Sequence, residues 1–241
     1  MGTGEVRTCL PSSPAAAAAL LILLLLAATV SSAAAGDTAG CHCFRDRTYN
    51  AEKPAVSDGY LLATTFNSLL ADEFNVSKRR IIMMKMSEGT ANEDLVTALY
   101  LSRIIGDDPA DILKQKKNRS WRETIYRIKP AATSAELDAF KELLLTDTRS
   151  DEITAFIIDS ILEKRFGATA EELDDLRNLG LSTREKVLAY TLSEHTSVPV
   201  SAIVDSRRRN GLSWSEIAHN FGLELSAVGK LLETSADQPE N

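Results

Sequence analysis

Apolar and polar positions along this chain follow a helical period. Leu62, Phe66, Leu69 and Leu70 fall on one face of the segment 60–74, which predicts a helix there. Short helices are expected at 78–86, 110–117, 135–145, 170–179 and 200–209. They alternate with further helices at 91–105, 121–128, 151–166, 183–195 and from Trp214 onward. No segment alternates with the two-residue period of a half-buried strand, so the expected fold class is all-α.

The alternation repeats. The stretch ending Gly180-Leu-Ser-Thr-Arg-Glu185 aligns without a gap on the one ending Gly211-Leu-Ser-Trp-Ser-Glu216, at an offset of 31. Weaker copies surround Thr90, Ser120 and Ser150, so the five hydroxyl residues Thr90, Ser120, Ser150, Ser182 and Ser213 are spaced 30, 30, 32 and 31. Ser or Thr followed three residues later by Glu is a capping box. The hydroxyl accepts the N3 amide, and the Glu carboxylate reaches back to the cap amide. Thr90, Ser120, Ser182 and Ser213 are therefore the expected helix caps, with Glu93, Glu123, Glu185 and Glu216 as partners. Each unit reads as a short helix A, a turn and a capped helix B. Such a pair cannot bury its apolar face alone. The expectation is thus tandem helix-turn-helix repeats of about 30 residues, stacked into a compact array or a short superhelix over 59–233.

The two ends read differently. Residues 15–30 are AAAAALLILLLLAATV, with small residues and an Ala33-x-Ala35 arrangement following before Gly36. That pattern marks 1–35 as a secretory signal peptide cleaved at Gly36; an uncleaved signal would be a membrane anchor. Thr38-Ala39-Gly40-Cys41 resembles the lipobox of bacterial lipoproteins, which makes Cys41 a second candidate, for lipidation. Residues 36–58 lack periodicity and read as an extended leader carrying Cys-His-Cys, and 234–241 reads as a disordered tail. Cys9 leaves with the signal. Cys41 and Cys43 are candidates for a disulfide, to a second chain or strained between themselves, or for a redox pair. Cys41, His42 and Cys43 are also weak metal-ligand candidates, because three consecutive residues seldom wrap one tetrahedral ion. A signal, then Cys-His-Cys-Phe-Arg-Asp-Arg, then a helical body resembles exported bacterial helical proteins of uncharacterised activity. That resemblance implies a periplasmic or cell-envelope location and brings no activity with it.

Residues 216–231, EIAHNFGLELSAVGKL, resemble a bacterial helix-turn-helix. The resemblance implies a tight crossing at Ala218 and Gly222, and a would-be recognition helix presenting Glu224, Ser226, Ala227, Gly229 and Lys230. That surface is nearly neutral and offers no Arg, Asn or Gln to base edges, and the chain has a formal charge of -7. No nucleic-acid partner is expected. The basic runs Lys78-Arg79-Arg80, 114–119 and Arg207-Arg208-Arg209 read as a solvated face complementing helix C-termini, with an edge for an anionic partner as the functional alternative. Trp121 and Trp214 follow equivalent caps and read as packing between units.

With 12 Gly and 7 Pro the chain is poor in turn residues, which speaks against an all-β fold. Serine-hydrolase, zinc-protease and P-loop motifs are absent from the sequence, and His195 and His219 are isolated in the repeat region. No cofactor is expected. The sequence thus points to an exported, non-catalytic helical-repeat protein that binds or scaffolds a protein partner. A helix-turn-helix regulator and a thiol-active envelope protein using Cys41 and Cys43 are the alternatives.

Overall fold

A computed structural model of the chain describes residues 44–87, 89–128, 135–146 and 148–233. The signal segment 1–35, Cys41, His42, Cys43 and the tail 234–241 lie outside these residues. Among the described residues all regular structure is helical and no strand occurs. After a 3-10 turn at Pro54–Ser57 come α1 (Asp58–Glu73), α2 (Lys78–Ser87), α3 (Asn92–Ile105), α4 (Pro109–Lys116), α5 (Trp121–Arg127) and α6 (Ala135–Leu145). The chain continues with α7 (Ser150–Phe166), α8 (Ala170–Asn178), α9 (Thr183–Thr196), α10 (Val200–Arg208), α11 (Trp214–Asn220) and α12 (Leu225–Val228), then a 3-10 turn at Gly229–Leu232.

The long helices α1, α3, α7 and α9 make the core. In α9 the run Lys186–Leu192 is buried without interruption, as are Ala63–Leu70 in α1 and Leu95–Leu101 in α3. A helix buried on all sides cannot show a one-sided apolar stripe, and these three accordingly carry polar residues inside. The hydroxyls are satisfied within their own helix. Thr65, Thr97 and Thr191 donate to the carbonyls of Leu61, Glu93 and Val187 four residues back, at 2.8, 3.0 and 2.8 Å. One buried charge pair crosses the core: Lys186 on α9 donates to Asp159 on α7, and Arg177 on α8 donates to the other oxygen of that carboxylate at 2.7 Å. Both oxygens of this buried carboxylate thus have a charged donor.

The packing order is α1 on α9, α9 on α7 and α7 on α3, while α2 joins α1 to α3. The shorter helices wrap this core: α4 lies on α3 and α5, and α10 on α9 and α11. The chain also closes on itself. Helix α1 packs against α11, α12 and the 3-10 turn at Gly229–Leu232. An open solenoid would confine contacts to adjacent units. Here the first helix touches the last elements, and Arg165 on α7 pairs with Asp72 on α1 while donating to the Leu232 carbonyl at 2.7 Å.

The described part of the leader is pinned to the body. Tyr49 stacks on His219 of α11 with ring centroids 4.1 Å apart, Ser57 Oγ donates to the Thr48 carbonyl at 2.7 Å, and Phe44 meets Tyr60 edge-on at 5.9 Å. His219 is therefore a stacking partner for the leader.

Candidate functional site

Three expected capping boxes are formed. Ser120, Ser182 and Ser213 accept the amides of Glu123, Glu185 and Glu216 at 3.1, 3.4 and 3.1 Å, and each Glu carboxylate accepts the cap amide in return. Thr90 is a correction. Helix α3 starts at Asn92 with Ala91 as its cap, and no side chain closes that cap. Thr90 stands one residue too early, so Glu93 falls at N2 and Asp94 takes N3. Ser150 likewise lies inside α7, behind the cap Arg149. A further box is formed at Thr169 and Glu172, opening α8. Its Thr-x-x-Glu spacing was visible in the sequence.

The tryptophans explain why the N3 position matters. Trp121 Nε1 donates to Asp94 at 2.9 Å, and Trp214 Nε1 donates to Glu185 at 2.9 Å. In both cases a Trp at the first position of one helix B grips the N3 carboxylate of the preceding core helix. A cation from the helix A between them completes each site. Lys116 lies 3.3 Å from Asp94 and 5.5 Å from the Trp121 ring, and Arg207 acts on Glu185. Burial alone would push the Glu185 carboxyl up. The Trp214 N–H, the Ser182 amide and hydroxyl, and Arg207 outweigh it and hold the group below its ordinary range. Both indoles are buried, at 4% and 1% exposure, and do not line a ligand box.

The helix-turn-helix segment is built into the core. Gly222 has a φ of +74° and closes α11, as a tight turn needs, but a Cβ there would meet nothing within 4 Å. The expected crowding against Ala218 is absent, and only the backbone conformation restricts this position. Helix α12 is a single turn continued by the 3-10 turn, and Leu225, Val228, Gly229 and Leu232 are buried. Gly229, expected on the outer face, is a second correction. A Cβ there would come within 2.7 Å of Ser68 Oγ and 3.3 Å of the Thr64 carbonyl on α1. The glycine is what lets this turn seat on α1. Lys78 closes the contact by donating to Ser68 Oγ and Thr64 Oγ1 at 2.7 and 3.0 Å. The start of α11 is held as well, because Asp58 accepts the amides of Trp214 and Ser215 at 3.2 and 2.8 Å.

Many of the basic side chains have local partners. Arg80 pairs with Asp108, Lys114 with Asp111 at 2.8 Å, and Arg209 with Asp205 at 3.2 Å, while Arg207 donates to the Leu212 carbonyl at 3.2 Å.

The feature best shaped to receive something is acidic. A cavity of about 530 Å³ opens between α8 and α10, above the C-terminal ends of α7 and α9. Phe166, Leu176, Tyr190 and Val204 make its apolar floor. Glu172, Asp175, Glu194 and Asp205 stand around it, against the single cation Arg165. Tyr190 is 5% exposed, and its hydroxyl has no hydrogen-bond partner among the described residues. Burial, reinforced by the charges of Glu172 and Asp159, pushes its pKa up to about 12, so the phenol stays protonated across the physiological range. No sequence pattern signals this cavity, since its walls come from four helices. Among the described residues no group of three His, Cys, Asp or Glu side chains is placed to hold a metal, and no helix is long and apolar enough to cross a membrane. No protein-family model, curated protein or solved structure matches the chain.

Proposed function

We propose that this chain is an exported, non-catalytic binding protein of the cell envelope that engages a protein partner through its helical body. The observation that carries the reading is the solvent-open cavity between α8 and α10, with its apolar floor and four surrounding carboxylates. Cavities of a few hundred Å³ with an apolar lining and a few convergent polar groups are the usual shape of a binding site. Export is supported by the apolar run 15–30 and the small residues before Gly36. The burial of Leu225, Val228, Gly229 and Leu232 supports a packing task for the last helix over a reading task.

Isolation of the natively produced protein from the envelope fraction, with intact-mass analysis, tests both parts. The expected result is a chain beginning at Gly36, or lipidated at Cys41, in stoichiometric association with a second polypeptide. A full-length chain found alone in the cytoplasm would overturn the proposal.

A further inference from the structure

We infer that the cavity between α8 and α10 docks a basic–aliphatic segment of the partner protein, with one arginine or lysine side chain seated over Tyr190. The inference rests on the binding reading above and names the chemistry that the site selects.

Charge is the first argument. Of the groups facing the cavity, α8 supplies Glu172 and Asp175, α9 supplies Glu194 and α10 supplies Asp205, while the end of α7 supplies Arg165. Arg165 is already engaged by Asp72 and by the Leu232 carbonyl. Asp205 is shared with Arg209, which leaves three other carboxylates facing the opening. On the solvent face of α8, Glu171 extends the same sign outward, while Asp174 is paired with Arg177. An anionic ligand would meet repulsion from α8, α9 and α10, whereas a cation is attracted by all three.

Tyr190 is the second, independent argument. A buried hydroxyl without a partner is unusual and costs free energy while it stays unpaired. Its oxygen can accept an N–H from a guanidinium or ammonium group. The Phe166 ring, its centroid 5.8 Å from that of Tyr190, is a second aromatic surface at the floor and already carries the Arg165 guanidinium 5.7 Å from its centroid. Tyr190 lines the floor of the cavity, where an inserted cation would meet its side chain.

The third argument concerns what accompanies the cation. Leu179 is 42% exposed at the rim, and Pro199 and Val200 lie across from it. These suit aliphatic neighbours of the inserted side chain, which a small free cation would not supply. The eight residues after Glu233, TSADQPEN, hold two carboxylates and no cation, so the chain's own C-terminal segment does not fit.

Selection of random twelve-residue peptides on the purified, natively processed chain tests this. Enriched peptides should carry Arg or Lys next to Leu, Ile or Val, and their affinity should fall with salt. Asp175→Lys and Glu194→Lys, both at exposed positions, should each weaken a selected peptide about two- to fivefold, and together about tenfold. Tyr190→Phe should weaken the peptide while leaving the thermal midpoint unchanged or raised, because an unpaired buried hydroxyl is removed. Enrichment of acidic or uncharged peptides, or failure to enrich any, would overturn the inference. So would ethylguanidinium binding as tightly as the peptide, or self-association abolished by the same substitutions. Basic peptides that ignore all three substitutions would remove this cavity as the site yet leave a binding protein. A lone cytoplasmic chain in the preceding experiment would remove the binding reading whatever peptides are selected.

Discussion

At the scale of single residues, the caps separate positions that look alike in the sequence. Ser213 and Thr90 both precede a Glu by three residues, but only Ser213 has its oxygen on an N3 amide. Ser213→Ala should therefore cost about 1 kcal/mol, while Thr90→Ala should stay within about 0.5 kcal/mol. Urea melts of the two variants check the difference, and equal losses would mean that Thr90 caps after all. Side-chain spacing locates capping boxes but does not place the first helical residue. Around Thr90, the cap falls on Ala91. There Asp94 is the residue that Trp121 and Lys116 bind, and those partners are 27 and 22 positions away.

At the scale of elements, helix pairs were the most legible feature. The helices lie close to where the apolar stripes put them, because each stripe is local and is read within one turn or two. What escaped was the joint between helices, Trp121 and Trp214 each holding an N3 carboxylate on the core helix before it. The Glu185 joint has a measurable consequence. Its folded-state pKa is depressed, so its stabilising contribution is present above the ordinary Glu value of 4.5 and is lost as pH falls below it. Trp214→Phe removes the indole donor and leaves Glu185 facing burial with less compensation. The variant should lose about 2 kcal/mol at neutral pH, since a hydrogen bond to a charged group is removed. It should also lose less than the parent on going to about pH 4, because the depression is partly gone. Denaturant midpoints at the two pH values measure this. An unchanged acid slope would show that Ser182 and Arg207 alone hold the carboxylate ionised.

At the scale of the whole molecule, the spacing of about 30 residues in the sequence does not disclose how the chain closes. Periodicity in sequence describes neighbours, and the decisive contacts here join positions far apart: Asp58 with Trp214 and Ser215, Asp72 with Arg165, and Ser68 beneath Gly229. The acidic cavity was hidden for the same reason, as Glu172, Tyr190, Glu194 and Asp205 converge only after α7 to α10 have packed. Closure predicts a response that a linear array would not give. In a solenoid, removing the last unit costs one interface and leaves the rest folded. Ending this chain at Gly222 would strip α12 and the following turn from α1, uncovering the Thr64–Ser68 surface and taking away the Leu232 carbonyl that Arg165 holds. The first helix would then lose its packing against the final elements while still belonging to the core with α9. The truncated chain should therefore unfold at markedly lower urea, in a single transition shared by probes on α3 and α9. A two-step melt, in which only the C-terminal region is lost and α3 keeps the midpoint of the intact protein, would show that the units are energetically independent.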